Sequence, residues 1–193
     1  MTATPKILAF SGSLRKGSFN QQVVKIAAGG AEAAGAQVTV VELRELPLPV
    51  YDADLEEQEG LPENARTLKA LMKAHTGFLI ASSEHNSSLS AALKNAIDWA
   101  SRREGDETPL VCFKDKTAVI MAASPGALGG LRGLNHLRSI LTSIGVLVLP
   151  DQKAIPKAHE ALTGDGTLSD PSQQKSIEAL GAKLAAVLGK LQA

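Results

Sequence analysis

Short apolar runs alternate with stretches of helical spacing five times along this chain, and that alternation restricts the fold more than any single motif does. Residues 6–10, 38–43, 77–81, 117–123 and 146–149 read as strands. The first is apolar on consecutive positions, which suits a strand buried on both faces of a parallel sheet and predicts a central place for it. After each strand comes a helical stripe. Val23, Val24, Ile26 and Ala27 mark a helix over 20–34 that stops near Gly35, with Gly29 and Gly30 weakening its last turns. Leu68, Leu71 and Met72 mark one over 63–74, with Pro62 at its entry. Leu89, Leu93, Ile97 and Ala100 mark a third, and Leu134, Leu137, Leu141 and Ile144 a fourth over 131–144, with Gly145 as its C-cap. The chain closes on an amphipathic helix carrying Ile177, Leu180, Leu184, Val187, Leu188 and Leu191. Residues 47–54, punctuated by Pro47 and Pro49, read as a surface loop, and 150–171 as a long loop with a functional or interface role.

Strands alternating with helices imply an α/β fold with right-handed crossovers. Five strands predict the flavodoxin-like three-layer sandwich, with a parallel sheet in the order 2-1-3-4-5. A chain of 193 residues is long enough for one such domain and too short for two of ordinary size, so 1–193 is expected to be a single domain. In such sheets a ligand sits outside the carboxyl ends of the strands, at the switch point between strands one and three.

Three polar turns fall on that edge. The first, 11–20, reads Ser-Gly-Ser-Leu-Arg-Lys-Gly-Ser-Phe-Asn and opens a helix. Unpaired N–H groups at a helix start carry the positive end of its dipole, so such a turn seats an anion. Ser11, Ser13, Ser18 and Asn20 add polar side chains, and Arg15 a planar cation suited to phosphate. The turn is neither a P-loop, since Ser18 stands where Lys is needed, nor a dinucleotide fingerprint, whose three glycines are interrupted. The second turn carries Ser83, Glu84, His85 and Asn86, and the third Ser124, Pro125, Gly126 and Gly129.

Composition excludes several partners. The 20 basic and 20 acidic residues cancel, giving no electrostatic reason to expect nucleic acid or an anionic membrane. No apolar run approaches the roughly 20 residues that span a bilayer. A lone Cys112 and the absence of a signal-type leader point to the cytoplasm. Cys112 has no neighbour in sequence that would lower its pKa, and Trp99 reads as packing or interface. His75, His136 and His159 lack metal-ligand spacing, so no metal is expected.

Gly12-Ser13-Leu14-Arg15 with Ser18 and Asn20 resembles the phosphate-binding signature of the NAD(P)H-dependent FMN reductases, which include quinone, azo and chromate reductases. Ser83-Glu84-His85-Asn86, followed by Leu93 to Trp99, resembles that family's second turn and its Leu-Lys-Asn-Ala-Ile-Asp-Trp helix, and 124–132 resembles its third turn. The resemblance implies bound FMN held by Ser11, Ser13, Leu14, Arg15, Ser18, Phe19 and Asn20 at the phosphate, and by the second and third turns at the ring. It implies NADPH or NADH as co-substrate, a small acceptor (quinone, azo compound, free flavin or metal oxyanion), and a homodimer or tetramer. No catalytic side chain is expected, because the flavin carries the chemistry. Ser83 and His85 depart from the family's Pro and Tyr, and Ser90-Ala91 from its Pro-Gly. Glu84 and Asn86 line the ring through their backbone, or cap the helix that starts near Ser88. The alternatives are a flavodoxin-type electron carrier, against which the neutral charge speaks, and a flavin-free binding protein of the same fold.

Overall fold

The computed structural model describes residues 4–191. Five strands form one parallel sheet: β1 Lys6–Ser11, β2 Gln37–Glu42, β3 Gly77–Ala81, β6 Thr117–Ala123 and β7 Leu147–Ile155, in the order β2-β1-β3-β6-β7. Counting only these five, the order is the expected 2-1-3-4-5. Two further strands, β4 Glu84–His85 and β5 Ser88–Leu89, form a small antiparallel hairpin at the sheet's carboxyl edge.

Side chains alternate across a strand, so each buried strand feeds two cores. Along β1, Ile7 and Ala9 enter one core with Leu79, Ala81, Val119 and Met121, while Leu8 and Phe10 enter the other with Phe78, Ile80 and Ile120. The first core is closed by α1 Phe19–Ala33 and α7 Pro171–Leu191, and the second by α3 Glu63–Ala74, α4 Ala91–Ser101 and α5 Leu131–Ser143. The three layers follow from continuous apolar runs that have no solvent face.

Gly30 does not weaken the end of α1 as its propensity suggests. The helix runs through it to Ala33, and a Cβ at Gly30 would overlap the backbone of Glu178 on α7, just as one at Gly181 would overlap that of Ala27. The two helices pack backbone to backbone, and tertiary contact overrides local propensity. Gly35, at φ +89°, turns the chain out of the helix as expected.

The stretch read as a surface loop at 47–54 lies at the surface as expected and is tied to α4 by hydrogen bonds. Trp99 is fully buried and donates its Nε1–H to the Pro49 carbonyl at 2.8 Å, while the Asn95 side chain accepts from Tyr51 N and donates to Pro49 O, each at 2.8 Å. Asp52 then caps a short α2, Ala53–Glu59, none of whose residues is buried. Trp99 is therefore packing, edge-on to Tyr51 with ring centroids 5.1 Å apart.

The long loop expected over 150–171 is instead largely structured. β7 continues through Pro150 to Ile155, and α6 Ala158–Ala161 follows. A proline breaks a ladder, and here the register slips between Ala118 and Ile120, so that Val148 pairs with Ala118 but Gln152 with Ile120. The bulge leaves Pro150 outside the ladder on an edge strand. No helix among the described residues is long and apolar enough to cross a membrane.

Candidate functional site

The three polar turns meet where the sheet order reverses. Ser13, Arg15, Ser18, Phe19 and Asn20 of the first turn, Ser83, Glu84 and His85 of the second, and Ser124 and Pro125 of the third line one cleft of about 170 Å³, closed at its base by Ala123.

The first turn leaves β1 at Ser11, which is fully buried with its Oγ unpartnered, and enters α1 at Ser18. Ser18 is the N-cap: its Oγ accepts the N–H of Gln21, and its carbonyl accepts that of Gln22. Those bonds leave the N–H groups of Phe19 and Asn20 without an acceptor inside the helix, at the positive end of a 15-residue dipole. Arg15 lies alongside, its guanidinium 5.6 Å from the centre of the Phe19 ring. Cation and helix start line the same cleft, an arrangement chemically suited to an anion.

Asn20 does something the turn alone does not show. Its Nδ2–H donates to the carbonyl of Ala123 at 2.8 Å, and its Oδ1 accepts the Ala123 N–H at 2.9 Å. The amide is thus spent on holding the first turn to the end of β6, and what Asn20 offers a ligand is its backbone N–H.

The second turn is built as the β4–β5 hairpin, with Asn86 and Ser87 at φ 50° and 65° in its bend. Glu84 caps a helix, but not the one expected: its Oε2 accepts the N–H of Gly133 in the first turn of α5, at 2.8 Å, where carboxylate meets dipole favourably. The cap of α4 is Ser90, whose Oγ accepts from Leu93 N at 3.2 Å and donates to the Gly12 carbonyl. Ser90 was missed as a site organiser. A serine just ahead of an apolar helical stripe is a cap signal that could have found it. Ser83 is 8% exposed and its Oγ has no partner, so it retains hydrogen-bonding capacity at the cleft wall.

The third turn is pinned from behind by the part of the chain read as loop. Ser124 N donates to Ile155 O, Ala158 N to Ser124 O, and Lys157 N to Gly126 O. Gly129 sits at φ +61°, where a Cβ would come within 2.6 Å of Ile155 and Pro156 backbone atoms. Its glycine serves packing against the end of β7, and it does not line the cleft. Gly126, Ser11 and Asn86 also lie outside the lining, and Leu14, 52% exposed, faces a neighbouring groove beside Leu43 and Leu46.

Burial pushes the Cys112 thiol pKa up, and its Sγ rests against the Lys69 carbonyl at 3.8 Å, so it behaves as a core residue. Among the described residues no cluster of three or more His, Cys, Asp or Glu is placed to hold a metal ion.

A doubly wound sheet whose switch point opens into a cleft lined by a cation, a helix start and a buried unpartnered hydroxyl has the architecture of a ligand-binding α/β protein. Residues 5–160 match the family model of NADPH-dependent FMN reductases, and the chain belongs to that family. It is 33% identical to a probable NADPH:quinone oxidoreductase 2 of Oryza sativa, over 97% of this chain and 90% of that protein. It is 35% identical to the quinone reductase of Escherichia coli, over 77% of this chain and 76% of that protein. Among solved structures it resembles the flavoenzyme NAD(P)H:(acceptor) oxidoreductase FerB from Paracoccus denitrificans, at a TM-score of 0.79 and 28% identity, covering 97% of this chain and 98% of that one. The protein is an NAD(P)H-dependent FMN oxidoreductase.

The residues present fit FMN. Its phosphate carries the charge that Arg15 and the α1 N-terminus attract, and the polar edge of its ring needs partners of the kind that Ser83 Oγ has to spare.

Proposed function

We propose that this single domain passes reducing equivalents from NADPH or NADH through FMN to a quinone, with the cleft at the β1–β3 switch point as the FMN site. What carries the reading is the pairing, in one cleft, of a phosphate-type anion seat with a buried hydroxyl that has no partner. Arg15, Ser13 and the N–H groups of Phe19 and Asn20 hold the phosphate, with Ser18 shaping the helix start and Phe19 steadying Arg15. Ser83, His85 and Pro125 flank the ring. Glu84, Ser90 and Asn20 act at one remove, locking the three turns together.

When bound, FMN supplies the hydride chemistry, which is why no nucleophile or acid–base pair is needed. The protein's part is to bind, orient and exclude water. A quinone is the acceptor that the names of the Oryza and Escherichia relatives support; an azo compound, free flavin or metal oxyanion remains to be compared with it. We further infer a homodimer or tetramer in the cytoplasm. Exposed Leu128 and Leu131 beside the third turn support the oligomer, and a single free cysteine, Cys112, supports the compartment.

The test is an anaerobic titration of FMN-loaded protein with NADPH, then with a panel of acceptors. Bleaching of the flavin by NADPH and its recovery with quinone are expected. A protein that binds no FMN, or whose FMN ignores both nicotinamides, overturns the reading. Sedimentation of the same sample reports the oligomer.

A further inference from the structure

A separate groove of about 310 Å³ adjoins the first turn. Leu14 lines it, while its neighbours Ser13 and Arg15 line the cleft, so the two openings share one stretch of backbone. The lining is mostly apolar, with Leu43, Leu46 and Leu48 coming from the chain after β2 and Ala92 and Ala96 from α4.

One charged side chain lines the groove, that of Arg44, and no carboxylate does. Leu43, 3% exposed, anchors the single turn of 3₁₀ helix Leu43–Glu45 in the core and leaves Arg44 exposed at its middle. Among the described residues the Arg44 guanidinium has neither an ion pair nor a hydrogen bond. The acids beside it in sequence do not neutralise it: Glu42 is spent on Lys25 at 3.0 Å, and Glu45 lies outside the lining. Asn95, the other polar residue of the lining, already uses its amide on Tyr51 N and Pro49 O. An unpaired planar cation at the side of an apolar groove suits a ligand with a flat apolar body and a phosphate attached to it.

The NADPH-dependent reaction brings such a ligand. The nicotinamide of NADPH has to meet the flavin, which leaves its adenosine half, with the 2′-phosphate, to bind outside the cleft. We propose that this groove seats the adenosine of NADPH, that Arg44 grips the 2′-phosphate, and that Arg44 thereby selects NADPH over NADH. The adenine lies against Leu46 and Ala92. Hydride delivery from this position rests on the function proposed above; the preference of the groove for a 2′-phosphate does not.

The test is calorimetric titration of FMN-loaded protein with adenosine 2′,5′-bisphosphate and with adenosine 5′-monophosphate, which differ only in the 2′-phosphate and undergo no reduction. The bisphosphate is expected to bind about tenfold more tightly, the scale of one charge-assisted hydrogen bond. Arg44→Ala abolishes that preference, and Ala92→Trp, which fills the groove, weakens both probes. Equal affinities in the unaltered protein, a preference that Arg44→Ala leaves intact, or undiminished binding of both probes to Ala92→Trp overturns the proposal. An Arg44-dependent preference in a protein that takes up no FMN upholds the groove while refuting the FMN reading.

Discussion

Asn20 and Ala123, 103 residues apart, are joined by two hydrogen bonds between one side-chain amide and one peptide unit, at 2.8 and 2.9 Å. The pair closes the base of the cleft, because it fixes where α1 begins relative to where β6 ends. Asn20 is 5% exposed, so cutting it back to Ala leaves the Ala123 N–H and carbonyl buried and unpaired. Asn20→Ala is expected to lower stability by about 2 to 4 kcal/mol, from two orphaned groups at the usual cost of each. Asn20→Asp keeps the shape but loses the donor and adds negative charge beside the anion seat. It is expected to weaken FMN binding more than Asn20→Ala does. Urea unfolding of the FMN-free protein and FMN titration separate the two effects; equal FMN affinity in both variants would show that charge at this position is not felt by the phosphate.

Glu84 ties the hairpin at the cleft wall to the start of α5. Removing a carboxylate that caps a helix costs about 1 kcal/mol. Glu84→Ala is therefore expected to destabilise the fold by that amount and to loosen the hairpin that carries Ser83 and His85. Glu84→Gln keeps an acceptor for Gly133 N–H and should recover most of the loss. Chemical denaturation and the visible circular dichroism of bound FMN read the two consequences. A Gln variant as perturbed as Ala would mean that the Gly133 hydrogen bond contributes little.

Among the described residues, Arg15 is the one permanent cation lining the cleft. Losing a hydrogen bond to a charged group costs about 1.5 to 3 kcal/mol, so Arg15→Ala should weaken FMN binding roughly tenfold to more than a hundredfold. Arg15→Lys keeps the charge but not the fork and should fall between. Phe19→Leu, which removes the ring under the guanidinium, should weaken FMN by a smaller factor. Flavin fluorescence on dilution measures all three. Unchanged affinity in Arg15→Ala would take Arg15 out of the phosphate site.

Legibility in the sequence tracked how locally each element is determined. The five-stranded sheet could be read because strands buried on two faces leave continuous apolar runs. The second half of β7 could not: Pro-Asp-Gln-Lys at 150–153 is polar because it lies at a sheet edge, and it pairs only because a bulge absorbs the proline. The hairpin at 84–89 was hidden in a serine-rich turn, its strands two residues long. In the first turn, the helix start and the cation beside it were legible since they fall within ten positions. The true partners of Asn20 and Glu84 were not, because they lie 103 and 49 residues away and only the sheet order brings them together. Gly129 was read as part of the third turn, and its close approach to the backbone of Ile155 and Pro156 was hidden because those residues follow it by 26 positions or more.

Glu107 sets an acid limit for the fold. It binds Lys69, whose side chain is 1% exposed, and Lys73 at 2.6 Å, and it holds the 102–109 segment against α3. The Lys69 hydrogen bond, then that of Lys73, lower its pKa from 4.5 to about 2. In the unfolded chain it titrates near the ordinary value of about 4.3. Between those two values the unfolded state binds more protons, so stability falls as the pH falls. This contribution is complete above the unfolded value and lost as the pH drops toward about 2. Its size is of order 1 to 3 kcal/mol for a shift of this scale in a partly hydrated site. Glu107→Gln should flatten the acid slope of stability in that window. It should also lower stability at neutral pH by about 2 to 4 kcal/mol, because the buried Lys69 ammonium loses its counter-charge and keeps only neutral acceptors, the Arg102 carbonyl and the Gln amide oxygen. Urea unfolding of wild type and variant at neutral and acid pH gives both numbers, and parallel acid slopes in the two proteins would remove Glu107 as the titrating group.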